Sequence, residues 1–201
     1  MKKNVYLVLS QTGTLLSLII KVLKRSRLNH ASVCFEDDFS EMYSFGRLDY
    51  ANPFIGGFVK ESPDYGTMRH FPLTWSEIFA FEVEEEVYNR LISMTNKMYE
   101  NRKSYKYNYK GLFLGIFNVA SHTPYRYYCS EYVAMVLREA SLIPKDALMG
   151  VVKPMDMYAL PGATLVYAGP LRHFRHKFSV YDLRDKWYYF KKKIFKKKKR
   201  Y

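Results

Sequence analysis

Two side chains with the means for covalent chemistry lie 99 positions apart in this chain of 201 residues. Cys129 is one of only two cysteines and sits in Tyr127-Tyr128-Cys129-Ser130-Glu131-Tyr132-Val133. Downstream of it, Tyr132, Val133, Val136, Leu137 and Ala140 recur at helical spacing, which predicts a helix starting at the cysteine. A thiol at a helix N-terminus feels the positive end of the macrodipole, which favours the nucleophilic thiolate. His30 opens the segment Asn29-His30-Ala31-Ser32-Val33-Cys34-Phe35. Alternation there puts Ala31, Val33 and Phe35 on one face and His30, Ser32 and Cys34 on the other, as in a half-buried strand. A cysteine and a histidine work as nucleophile and general base when they meet in space, whatever their separation in sequence. The competing readings are ordinary ones: a small buried thiol and a structural strand-end histidine.

The second cysteine does not fit that pairing. Cys34 lies four strand residues from His30, about 13 Å at roughly 3.3 Å per residue, too far for direct proton transfer. It is expected to be a packing thiol. Glu131 belongs to the first helical turn, where a carboxylate suits the dipole, and it receives no catalytic role. His122 is read as a loop histidine. His70, His173 and His176 have no partners at metal-ligand spacing, and Gly56-Gly57 lacks the Lys-Ser/Thr of a phosphate loop and reads as a turn. No metal and no cofactor is expected.

The elements that must position the pair follow from periodicity and breakers. Val5 to Leu9 reads as a first strand and Thr14 to Lys24 as an amphipathic helix. The His30 strand comes next, then an acidic turn at Glu36-Asp37-Asp38 and a return strand from Glu41 to Arg47. Residues 49–70, rich in Gly, Pro, Asn and Asp, read as a long loop with short extended pieces. Phe79 to Val83 alternates as a strand, Glu84 to Asn101 carries a helical pattern, and Gly111 to Val119 reads as a helix. Pro144 stops the pattern of the Cys129 helix, Lys153-Pro154 reads as a loop followed by a short turn, and Thr164 to Ala168 reads as a late strand. A hairpin with separate helices predicts an α+β class.

At 48% hydrophobic residues the chain can bury one substantial core, so residues 1–183 are expected to form one domain. The net charge of +13 is uneven. Nine basic residues and no acid lie between Lys186 and Tyr201, which leaves about +4 for the remainder. In this tail, 184–201, Trp187-Tyr188-Tyr189-Phe190 and Ile194-Phe195 interleave with lysines. That pattern suits an anionic membrane surface or a solvated tail, and specific nucleic-acid binding is not expected. The apolar run after Met1-Lys2-Lys3 breaks at Ser10-Gln11-Thr12-Gly13, and no stretch reaches the ~20 apolar residues of a spanning helix. Two cysteines without a secretory signal favour a reducing compartment, so a cytoplasmic protein, peripheral at the membrane through its tail, is expected.

The order of histidine strand, return strand and cysteine helix resembles that of circularly permuted papain-like cysteine amidases of the NlpC-type superfamily. These are the YaeF/YiiX-type enzymes, related to lecithin:retinol acyltransferase-like proteins. The pieces that carry the resemblance are Asn29-His30, Met42-Tyr43-Ser44-Phe45-Gly46-Arg47 and Tyr128-Cys129-Ser130-Glu131, within residues 3–168. It implies an antiparallel sheet packed against the cysteine helix, with Cys129 attacking an amide or ester and His30 as its base. It also implies a third polar residue that holds the histidine. By placement this is Ser44, where related enzymes often carry Glu, a departure that leaves a catalytically inactive cleft for a small amine or peptide as an alternative. A lipid acyltransferase with the tail as anchor is another. The oxyanion hole needs the Cys129 N–H and a second donor; Tyr6, Tyr127 and Tyr128 are available, with Tyr6 and Tyr128 carried forward as substrate-binding candidates.

Overall fold

The computed structural model describes residues 1–11, 28–49, 52, 54–71, 73–148, 150–158 and 160–175. The expected helix at Thr14 to Lys24 and the basic tail lie outside the described residues. Eight strands form one sheet: β1 (Lys2–Ser10), β2 (His30–Cys34), β3 (Met42–Arg47), β4 (Gly56–Glu61), β5 (Trp75–Glu84), β6 (Lys106–Tyr107), β7 (Arg126–Tyr127) and β8 (Thr164–Pro170). Their spatial order is β7-β6-β4-β3-β2-β1-β5-β8. Only β6 and β7 run parallel; every other neighbouring pair is antiparallel. The helices are α1 (Gly66–Arg69), α2 (Glu85–Glu100), α3 (Tyr109–Ile116), α4 (Cys129–Glu139) and α5 (Leu171–Arg175), with a 3-10 turn at Pro154–Met157. The class is α+β.

The central strands are buried on both faces, which explains the unbroken apolar run of β1. Val5, Leu7 and Leu9 point into the larger core, where Ala31, Val33, Phe45 and Phe58 meet Tyr132, Val133, Val136 and Leu137 of α4. Tyr6 and Val8 point the other way, into a smaller cluster with Cys34, Phe39, Met42, Met68, Ile78 and Leu171. The half-buried β2 expected from alternation is thus covered on both sides, because this second cluster packs over the face that carries Cys34.

Helix α4 docks against β2 and β3 through an apolar stripe that turns to the sheet every third or fourth residue. Its start is pinned by a loop: Ser130 Oγ donates to the Val152 carbonyl at 2.6 Å, and the Val152 N–H donates to the Tyr128 hydroxyl at 3.0 Å. Glu131 accepts the Tyr128 N–H at 2.9 Å, closing the first turn. Burial outweighs these hydrogen bonds and pushes the Glu131 carboxyl up to about 7.

The largest departure from the expected elements is β4. Gly56 and Gly57, read as a turn, begin this strand and pair with Arg47 and Gly46. Close approach demands a glycine at Gly56, because an added Cβ would lie 2.6 Å from the Tyr109 hydroxyl and 2.8 Å from Tyr107 Cβ. Composition suggested a loop; pairing with β3 overrides it.

Candidate active site

His30 is the first residue of β2, so its ring stands at the end of the sheet, where the start of α4 can reach it. The Cys129 thiol stands within interaction range of the His30 imidazole and helps to raise it, through hydrogen bonding and through charge. On its other side, His30 Nε2 lies 2.8 Å and 3.1 Å from the two carboxylate oxygens of Glu61. Glu61 takes Nε2, so Nδ1 is the ring nitrogen left for a second partner. Ser32 Oγ donates to Glu61 Oε2 at 2.8 Å and holds the carboxylate in place. A Cβ at Gly46 would sit 3.1 Å from Glu61 Oε1, so the missing side chain lets the carboxylate lie down on the sheet.

The electrostatics match this geometry. Burial disfavours a charged His30, yet the Glu61 charge and the hydrogen bonds to Cys129 and Glu61 outweigh it. They hold the imidazole well above its ordinary value. Cys129 is the first residue of its helix, so its own N–H lacks an intrahelical acceptor and points out of the N-terminus. Its side chain keeps a little exposure, 5%, whereas Cys34 has none.

Two expected site residues are elsewhere, and the third is occupied differently. Ser44 does not hold the imidazole. The β2–β3 ladder ends at Val33–Tyr43, and the Ala31 carbonyl beyond it takes the Ser44 hydroxyl at 2.7 Å. Tyr6 pairs with Cys34, four residues along the sheet from His30, and its hydroxyl donates to Asp37 Oδ1 at 2.7 Å. Tyr128 borders the cysteine, but its ring is buried and its hydroxyl is spent on the Val152 N–H. His122 stacks edge-on against Tyr127, at 6.3 Å between ring centres.

Two residues of the site escaped the sequence reading. Glu61 lies in the segment read as loop, and only the three-stranded neighbourhood of β2, β3 and β4 brings it to His30. Tyr107 sits on β6 opposite Tyr127, two residues before the cysteine. Burial first, and then the charge of Cys129, push its phenol well above the ordinary range, so it keeps its proton and remains a donor. The parallel β6–β7 pairing is too short to leave a periodic signal.

Among the described residues no group of three His, Cys, Asp or Glu side chains could hold a metal ion, and no helix is long and apolar enough to cross a membrane. Compared with protein-family models, curated proteins and solved structures, the chain gives no match in any of the three.

Proposed function

We propose that this protein is a thiol hydrolase of the circularly permuted papain-like kind, acting on an amide or ester through an acyl-cysteine. The observation that carries the reading is the chain of contacts from Cys129 through His30 to Glu61. Glu61 supports the positive form of the ring that neighbours the sulfur.

In this reading the Cys129 sulfur adds to the carbonyl carbon of the substrate. The carbonyl oxygen becomes an oxyanion, received by the Cys129 N–H and the Tyr107 phenol. As the C–N or C–O bond breaks, His30 gives its proton to the leaving group, and an acyl-cysteine remains. His30, now neutral, takes a proton from water, which attacks the thioester; the acid departs and sulfur is regenerated. Glu61 positions the ring throughout, the part expected above of Ser44, and also stabilises its charged form. A carboxylate against the imidazole supports an active cleft over the inactive one that the Ser44 departure suggested.

The test is labelling by iodoacetamide at neutral pH, with the modified cysteine located by mass spectrometry. Wild-type protein and Cys34→Ala should be labelled at Cys129, Cys129→Ala should not be labelled, and His30→Ala should react at least about tenfold more slowly. Equal labelling of wild type and Cys129→Ala would remove the nucleophile from the proposal.

A further inference from the structure

Glu61 has a second neighbourhood. Beyond its contact with His30 it lines a cavity of about 420 Å³, within the range of small-ligand sites. The cavity opens between β4, the β3 end, α1 and the residues after α2. Its lining carries four permanent cations, Arg47, Lys60, Arg69 and Arg102, together with His70. Glu61 is the single carboxylate among the lining residues, and it is engaged by His30 and Ser32.

The four cations are not equally committed. Lys60 Nζ pairs with Glu41 at 2.8 Å and stands over the rings of Tyr43 and Tyr99. Arg102 lies over the Tyr99 ring and donates Nη1 to the Tyr99 carbonyl at 3.1 Å. Arg47 differs: its Nη2 is shut from solvent and has no hydrogen-bond partner among the described residues. Arg69 is exposed at the last turn of α1. Guanidinium groups in the lining of a cavity with this excess of cations suit a planar or tetrahedral oxyanion, which accepts paired N–H donors.

We propose that this cavity is a subsite for an oxyanion, a carboxylate or phosphate borne by the substrate and recognised by Arg47 and Arg69. The proposal rests on the thiol-hydrolase reading only in calling the bound group part of a substrate. Because Glu61 belongs to both places, an anion seated here lies next to the side chain that orients His30. The substrate class narrows accordingly to amides or esters that carry a negative group, and away from neutral or cationic ones.

Binding can be measured without turnover. Inorganic phosphate and acetate are titrated separately into the full chain carrying Cys129→Ala, and the arginine Nε–H signals are followed by NMR. The Arg47 and Arg69 signals are assigned by their loss in Arg47→Gln and Arg69→Gln. Saturable movement of both signals is expected, with either substitution weakening binding at least about tenfold. Saturation by phosphate alone assigns the subsite to phosphate, and saturation by acetate assigns it to carboxylates. A chain with the tail lysines Lys196 to Lys199 changed to glutamine controls for adventitious capture and should bind as the parent does. Static signals, or affinity lost with the tail lysines and kept with Arg69→Gln, would overturn the proposal. Arg69 is exposed, so that variant remains informative if Arg47→Gln does not fold. Thiol labelling of the wild type reports separately on the catalytic reading, so the two can fail independently.

Discussion

Cys34 sits within the sheet's second face and donates to the carbonyls of Glu36 and Glu41, both at 3.2 Å, whereas Cys129 opens a helix and meets an imidazole. Both thiols are free, and both belong to buried residues. Burial pushes Cys34 up to about 12, and the neighbouring Glu36, Asp37 and Asp38 reinforce the shift. No cation stands among those causes. At Cys129 the neighbouring ring is itself held positive by Glu61. Two buried thiols thus stand beside charges of opposite sign.

The widest difference should appear in reactivity. With Cys34 near 12, its thiolate fraction at pH 7 is on the order of 10⁻⁵, so alkylation should be at least about a thousandfold slower there than at Cys129. Peptide mapping of the native protein over time measures both rates in one experiment, and comparable rates would erase the contrast.

Glu61→Gln should come next in size. It keeps hydrogen-bonding capacity but removes the charge that supports the imidazolium, so turnover should fall on the order of 10²-fold. Because the folded His30 is raised, the pair's stabilisation is fully present below the ordinary value near 6.5 and is lost as pH rises through the folded value. The stability gap between wild type and Glu61→Gln should therefore be greatest in acid and close on the alkaline side. Urea unfolding across pH, with the pH–rate profile, reads both effects.

A third prediction concerns the helix that presents Cys129. Glu131 holds its proton more tightly when folded, up to about 7, so stability should decline as pH rises from about 4.5 to about 7. Glu131→Gln keeps an acceptor for the Tyr128 N–H and should abolish that decline, gaining on the wild type at pH 8 relative to pH 5. Denaturant midpoints at the two pH values measure it.

The smallest effects belong to side chains whose part is structural. Cys34→Ala should cost about 1–2 kcal/mol from lost packing, and Ser44→Ala about 1 kcal/mol from the orphaned Ala31 carbonyl. Neither should alter turnover once folding is matched. A large loss of turnover in Ser44→Ala would return the serine to the site.

Legibility differed from element to element. The helix from Cys129 was readable because Tyr132, Val133, Val136 and Leu137 keep one face to the sheet over nearly two turns. The first strand, the His30 strand and the helix at Glu85–Glu100 carried comparable signals. Gly56–Glu61 did not, since its two glycines resemble a turn until the neighbouring strand and Tyr107 require them. That one misreading hid Glu61, and Ser44 was named in its stead because it lies on the strand next to β2. The tyrosines misled for another reason: a phenol can serve a cleft or hold a loop, and Tyr6 and Tyr128 each found a partner in the fold.

The residue order alone determined that a cysteine would begin a helix and a histidine a strand, because both facts follow from short-range periodicity. Tertiary structure decided what those two residues meet. The carboxylate that supports the ring's charge comes from a strand two places across the sheet, and the phenol that feels Cys129 comes from a two-residue strand. Such partners are chosen by strand order and close packing, which join residues that no local pattern connects.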